Sequence, residues 1–375
     1  MESRREQGSL TERSGKAPCF VNPKVGRLAE RPELWRTPRS EPNAALLRLH
    51  ANENPYGPSP RVLEALRERM TTLHRYPDDA LALHERLADQ LGVGSDELFL
   101  SNGSTEAIEM IVRTFAEEGD HAVLGDPSFV CYELALLKAG LTYTQVALDE
   151  DFRWSVDALL QALRPSTRLL FIDQPNNPSG TYMPEAELLR LLCEVPPEVL
   201  VVIDEAYFEY VDAKDFRSAL ALRPLRPSLL ILRTFSKAYG LAALRLGYAV
   251  APRECIEALQ QTRPPYHLNA FAGPAALAAL DDPQHLDRVV ELNRQERARI
   301  TEQLQGWGLR VLPSQTNFLM VHVASESREV YETLAHAGLL LRRLGGRLEG
   351  WLRISIGLPE ENERMLSAFR ASMRL

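Results

Sequence analysis

ILRTFSKAYGLAALRLG, residues 231–247, sets one lysine, Lys237, after an apolar run, with Thr234 and Ser236 just before it and Arg245 just after. The apolar residues read as a buried strand and the polar ones as the loop that leaves its carboxyl end. A lysine there is often only a solvated side chain. In this setting it is also an amine able to condense with a carbonyl, beside hydroxyls and a guanidinium fork of the kind that holds a phosphate. The rest of the chain decides between the two.

Working outward, three more strand-like runs end in polar residues: HAVLGDPSF at 121–129, RLLFIDQPNNPSG at 168–180 and EVLVVIDEAYFEY at 198–210. Helix-like segments separate them. Alternation of that kind predicts a mostly parallel sheet covered by helices on both faces, with ligands bound beyond the carboxyl ends of its strands. Phe129, Asn177, Asp204, Tyr207 and Lys237 all fall at such ends. Upstream, SNGSTE at 101–106 opens a helix whose apolar face is Ile108, Ile111, Val112 and Phe115. Its first backbone N–H groups and the Ser104 and Thr105 hydroxyls can converge on a phosphate, or those two residues can simply cap the helix.

The chain has 375 residues, 45% of them hydrophobic and 25% charged. That is enough for a large core and for two domains. A net charge of −8 argues against nucleic acid or an anionic membrane as the main partner. Cys19, Cys131, Cys193 and Cys255 are scattered and form no metal-binding or disulfide spacing, so no metal is expected and a reducing, cytoplasmic setting is. No apolar run reaches membrane-spanning length.

Residues 1–45 read as an N-terminal arm, rich in Arg, Glu, Pro and Ser and weakly periodic. Order is expected to begin at LRLHANENPYGPSP, residues 47–60. A helix marked by Val62, Leu63, Leu66 and Met70 follows and stops at HRYP, where Pro77 disfavours a helical Tyr76. The expected division is 46–74 as a segment packing with a small domain, 75–285 as a large domain and 286–375 as a smaller C-terminal one. The last begins in a long polar helix and contains the short strands TNFLMVHV and WLRISIG.

Taken together, the polar residues meet the needs of pyridoxal phosphate: an amine for its aldehyde, a carboxylate for its ring nitrogen, groups for its ring hydroxyl and a phosphate cradle. Asp204 could instead be structural, and Phe129 taken alone is a plain core residue. Seven motifs occur in order: LHANENPYGP, RYP, NGSTEAIE, QPNNPSG, DEAYFEY, RTFSKAYGLAALRLGY and LRISIG. Through them, over about residues 47–370, the chain resembles the fold-type I pyridoxal phosphate enzymes of the class I/II aminotransferase superfamily, and most of all the histidinol-phosphate aminotransferases.

The resemblance implies an α/β fold with a large domain built on a mostly parallel seven-stranded sheet, plus a smaller α/β C-terminal domain. It makes Lys237 the Schiff-base lysine and proton shuttle, and Asp204 the partner of the ring nitrogen. Asn177 and Tyr207 take the ring hydroxyl, and Phe129 stacks on the ring. Ser104, Thr105, Thr234, Ser236 and Arg245 surround the phosphate, which Tyr76 reaches from a neighbouring subunit of a homodimer. Arg353, Arg342 and Asn54 are the expected substrate contacts. One departure is visible: the family's Pro-Tyr pair near the start is missing from FVNPKVGRLAERPELW, residues 20–35.

The expected reaction is amino transfer between histidinol phosphate and 2-oxoglutarate, a step of histidine biosynthesis. Other chemistries of the same fold remain open: transamination of an aromatic amino acid, phosphothreonine decarboxylation, or elimination or cyclisation of an amino acid. A noncatalytic sensor domain that merely keeps the cofactor fits less well, since such domains accompany a DNA-binding part and the short arm has no helix-turn-helix pattern.

Overall fold

The computed structural model describes residues 22, 24, 28, 31, 46–78, 80–323 and 327–373. Most of the expected arm therefore lies outside the described residues. Of its described members, Lys24 pairs with Glu118 at 2.9 Å and Arg31 with Glu133 at 2.8 Å.

The strands in chain order are β1 (Leu47–Arg48), β2 (Leu98–Ser101), β3 (His121–Asp126), β4 (Thr142–Ala147), β5 (Thr167–Asp173), β6 (Leu200–Asp204), β7 (Leu229–Thr234) and β8 (Gly247–Val250). β2 to β8 form one seven-stranded sheet in the order β2-β8-β7-β6-β5-β3-β4. Its centre is parallel, through the pairs β3/β4, β3/β5, β5/β6 and β6/β7, while β8 runs antiparallel to both β7 and β2.

The central strands are continuous apolar runs because both faces are covered. Along each one, successive side chains go to opposite cores. Leu169, Phe171, Leu200, Val202, Leu230 and Leu232 join one cluster with Ile108 and Ile111 of the helix Gly103–Phe115. Leu170, Ile172, Val201, Ile203, Leu229 and Ile231 join the other with Leu188, Leu191 and Leu192 of the helix Glu185–Glu194. The period of two buries both sets, and only the strand ends are left for polar residues.

Later in the chain come β9 (Arg310–Val311), β10 (Phe318–His322), β11 (Leu339–Leu340), β12 (Arg342–Arg343) and β13 (Trp351–Ser355). A second sheet has the order β12-β13-β10-β9, and β1 pairs in parallel with β11. Leu47 and Leu49 share a core with Leu319, Leu352, Ile354 and Phe369 beside this sheet.

Segment 46–74 does not travel as one piece. The helix Pro60–Arg69 buries Val62 against Leu83, Leu268 and Ala272, in a core shared with Leu98 and Val250 of the large sheet. Leu63 and Met70, expected on its apolar face, are 46% and 59% exposed. The long helix Pro283–Gly306 likewise touches both regions, with Val289 packed beside Tyr207 and with Ile300 and Leu304 in the core of the second sheet.

Among the described residues, no helix is long and apolar enough to cross a membrane, and no group of His, Cys, Asp and Glu could hold a metal ion.

Candidate active site

The carboxyl ends of β3, β5, β6 and β7 and the start of the helix Gly103–Phe115 open on one cavity. Lys237 lies three residues past the end of β7 and faces it. Its amine reaches the carbonyl oxygens of Asn52 at 3.2 Å and Ala51 at 3.4 Å. Burial, helped by the charges of Arg353 and Arg245, brings the Lys237 amine down to about 8, so a useful share of it is neutral near physiological pH.

Asp204 ends β6 and is buried. The Tyr132 hydroxyl donates to its Oδ2 at 2.9 Å and the Ala206 N–H to its Oδ1 at 3.1 Å. Burial pushes its carboxyl up to about 6, against those two hydrogen bonds, which favour the charged form. Tyr207 and Asn177 meet here too. The Tyr207 hydroxyl accepts from Asn52 Nδ2 at 2.9 Å and from Asn177 Nδ2 at 3.4 Å. Phe129 lines the same cavity and sets its ring edge-on to Tyr132, centroids 5.7 Å apart.

Another wall is built for an anion. The helix Gly103–Phe115 has Asn102 at its cap position; the Asn102 side chain does not cap the helix, and Glu106 reaches back to accept the Asn102 N–H at 2.6 Å. Ser104 and Thr105, which would have been capping residues on the plainer reading, sit inside the first turn and line the cavity. The N–H groups of that turn carry the positive end of the helix dipole. Ser236 and Arg245 complete the wall, with Arg245 Nη1 3.3 Å from Ser236 Oγ. Arg245 has φ +50°, a left-handed conformation uncommon outside glycine. Its guanidinium lies so close to Gly103, itself at φ +75°, that a Cβ there would come within 2.5 Å of it.

Arg353, from the middle of β13, brings the second sheet to the cavity. It donates to Asn177 Oδ1 and to the His50 carbonyl oxygen, both at 2.6 Å, while its buried Nε has no partner among the described residues. Burial lowers it to about 10, which leaves it charged at neutral pH.

Of the residues singled out in the sequence, Ser104, Thr105, Phe129, Asn177, Asp204, Tyr207, Thr234, Ser236, Lys237, Arg245 and Arg353 line this one cavity, and Tyr76, Arg342 and Asn54 do not. Tyr76 is 77% exposed and stacks on Tyr266 at 4.5 Å. Arg342 stands opposite Arg353 in the β12/β13 ladder. Asn54, expected at the substrate, uses its carboxamide on the Ala238 carbonyl (2.9 Å) and the Tyr56 N–H (2.9 Å), tying its own turn to the residue after Lys237. The asparagine of ANEN that faces the cavity is Asn52, turned inward by a left-handed backbone at φ +54°. Tyr132 and Asp173 also line it and were not foreseen. Tyr132 falls three residues after Phe129 on one helix face, a spacing that makes the two neighbours.

The arrangement suits a flat ring bearing a carbonyl and a phosphate: an amine at one edge, a carboxylate at another, an aromatic face and an anion-binding helix start. A sequence model of the family described as aminotransferase class I and II matches residues 44–369. The histidinol-phosphate aminotransferase of an Anaeromyxobacter species is 42% identical over 324 residues, 86% of this chain and 89% of that protein. The one from Moorella thermoacetica is 40% identical over 330 residues, 87% of this chain and 85% of that protein. Among solved structures, histidinol-phosphate aminotransferase from Sinorhizobium meliloti in complex with pyridoxal-5'-phosphate superposes with a TM-score of 0.86 at 27% identity, covering 96% of this chain and 98% of that one.

Proposed function

The chain belongs to the class I and II aminotransferases, and we propose that it transfers the amino group of histidinol phosphate to 2-oxoglutarate with pyridoxal 5'-phosphate as its cofactor. The observation that carries this reading is the grouping, on one cavity, of a lysine with a depressed amine, a buried carboxylate and an arginine-flanked helix start. When bound, pyridoxal phosphate supplies a carbonyl for amino groups and a ring that accommodates the electron pair left when a bond to the substrate carbon breaks.

The residues present fit that group. Lys237 would hold its carbonyl end, Asp204 its ring nitrogen, Asn177 and Tyr207 its ring hydroxyl, and Phe129 its face. Ser104, Thr105, Thr234, Ser236 and Arg245 would surround its phosphate. Each has a reason in this chain. Tyr132 and the Ala206 N–H orient Asp204 by donating to both its oxygens. Asn52 and Asn177 both donate to Tyr207, leaving the tyrosine proton free for a further acceptor. Lys237 Nζ would be the base that takes the proton from the donor carbon and carries it until it is handed back, the amine going from neutral to charged and returning to neutral. Its lowered proton affinity keeps it competent for that near neutral pH.

Arg353 is the anion anchor of this reading, a charged guanidinium with an unused N–H donor and no carboxylate partner among the described residues. It suits a carboxylate of glutamate or 2-oxoglutarate by a two-pronged contact and, together with Arg342 opposite it on β12, the phosphate of histidinol phosphate. The same reading divides the chain near residue 285 into a cofactor lobe, 75–285, and a C-terminal lobe, 286–375.

It also makes the enzyme a cytoplasmic homodimer with shared sites. Met70, Leu73, Tyr76, Leu81 and Tyr266 are each more than half exposed, and Tyr76 stacks on Tyr266; exposed apolar and aromatic side chains of this kind are what an interface covers. In that dimer Tyr76 reaches the phosphate wall of the other subunit. The test of the whole reading is glutamate formation from 2-oxoglutarate by the cofactor-loaded protein with histidinol phosphate as sole donor. Glutamate in step with consumed donor supports it, and its absence overturns it.

A further inference from the structure

Asp173 lies outside the roles assigned so far. It ends β5 and stands beside Asp204 in the β5/β6 register. Buried and on the cavity wall, it has no cationic partner among the described residues. An isolated carboxylate in such a place is costly, and burial pushes it up to about 7. What it does have is three donors. Its Oδ2 accepts the backbone N–H of Phe129 at 3.2 Å and that of Asn177 at 2.9 Å, and its Oδ1 accepts Asn176 Nδ2 at 2.9 Å.

Those donors come from two separate loops. One leaves β3 and delivers Phe129; the other leaves β5 and delivers Asn177. Asn176 adds a second tie between them, through Nδ2 to the Pro127 carbonyl at 3.1 Å. Asn177 in turn meets Tyr207 and Arg353 through its own side chain. The chemistry of the acceptor matters here. All three partners are N–H donors, so the site calls for a group that only accepts; an amide in the same place would present its own NH2 to at least one of them.

We propose that Asp173 is a positioning residue whose carboxylate clamps Phe129 and Asn177 to each other, fixing the stacking ring and the ring-hydroxyl contact in one geometry. The inference rests on the cofactor reading above. In it, Asp173 acts through the two residues it holds.

The test compares wild type, Asp173→Asn, the double variant Phe129→Ala/Asn177→Ala, and the triple variant. Pyridoxal 5'-phosphate binding to the apo proteins is titrated by tryptophan fluorescence. The circular dichroism of the bound cofactor reads how rigidly its ring is held, and thermal melting checks the fold. Asp173→Ser stands in if Asp173→Asn does not fold.

The clamp predicts that Asp173→Asn weakens cofactor binding about tenfold and lowers the dichroic band, while leaving a cooperative melt. In the double-variant background, where nothing remains to be positioned, the same substitution should change affinity less than about twofold. An equal loss in both backgrounds, unchanged affinity and dichroism, or failure of both Asp173 variants to fold overturns the clamp. Wild-type protein that takes up no pyridoxal phosphate overturns the cofactor reading, and the clamp with it.

Discussion

Replacing Arg353 separates a binding role from a structural one with unusual clarity. Its guanidinium is held by Asn177 Oδ1 and the His50 carbonyl oxygen, lies 5.3 Å from the Phe318 ring centre, and keeps a buried Nε unpartnered among the described residues. Burial lowers it to about 10, so at pH 7.5 it is still charged. Truncating one member of a buried, hydrogen-bonded charge pair costs about 2–5 kcal/mol, or about 30- to 5,000-fold in kcat/KM. Arg353→Met should therefore lower kcat/KM by that range for both the amino donor and the keto acid. Stability should move differently. Without ligand the arginine is a buried cation lacking a counter-charge, so its removal should leave the apo melting temperature unchanged or raised. Arg353→Lys keeps the charge but loses the fork and should fall between the two. The assay is steady-state kinetics with glutamate and with histidinol phosphate, beside thermal melts of the apo proteins. A loss of less than about threefold, or a loss matched by a falling melting temperature, would refute the reasoning.

Lys237→Ala should abolish turnover, and borohydride treatment of the loaded enzyme should fix the cofactor to Lys237; a peptide map with the adduct on another lysine contradicts this. In the apo protein, labelling of Lys237 by an amine-selective acylating reagent should rise with an inflection near pH 8, well below the usual lysine value near 10.4. Asp204→Ala should keep some cofactor yet lose most of the rate. Because the folded-state carboxyl of Asp204 titrates near 6, above its ordinary value, the folded chain binds more protons than the unfolded one between about pH 4 and 6. Its burial thus weakens the apo protein above that window and ceases to do so below it. Asp204→Asn should melt higher than wild type at pH 8, with the difference vanishing near pH 4. Tyr76→Phe should weaken phosphate binding without unfolding the chain, and sedimentation should find a dimer at assay concentrations.

Much of this site was legible in the sequence because chemistry restricts which residues may stand at the strand ends. Lys237, Asp204, Asn177 and Phe129 each follow an apolar run too continuous to be anything but a strand covered on both sides. The antiparallel direction of β8 was not legible, since a doubly buried strand reads the same either way. Asn52 and Asn54 sit in one short turn, and spacing says nothing about which faces inward; the left-handed backbone at Asn52 settles it. Asp173 was hidden for another reason. Its partners are two backbone N–H groups and one neighbouring amide, and only folding brings the Phe129 N–H to it across 44 residues. Which core the helix Pro60–Arg69 joins was not legible either, because its one fully buried residue, Val62, gives no hint of it.

The most direct test of substrate assignment compares kcat/KM for histidinol phosphate, histidinol, phenylalanine and phosphothreonine on one preparation of the enzyme. On the proposed reading, with Arg353 on the cavity wall and Arg342 opposite it in the β12/β13 ladder as the phosphate contact, the enzyme should favour the phosphorylated alcohol over histidinol and phenylalanine. With phosphothreonine it should release no carbon dioxide. Equal turnover of histidinol or phenylalanine, or carbon dioxide from phosphothreonine, would contradict the account.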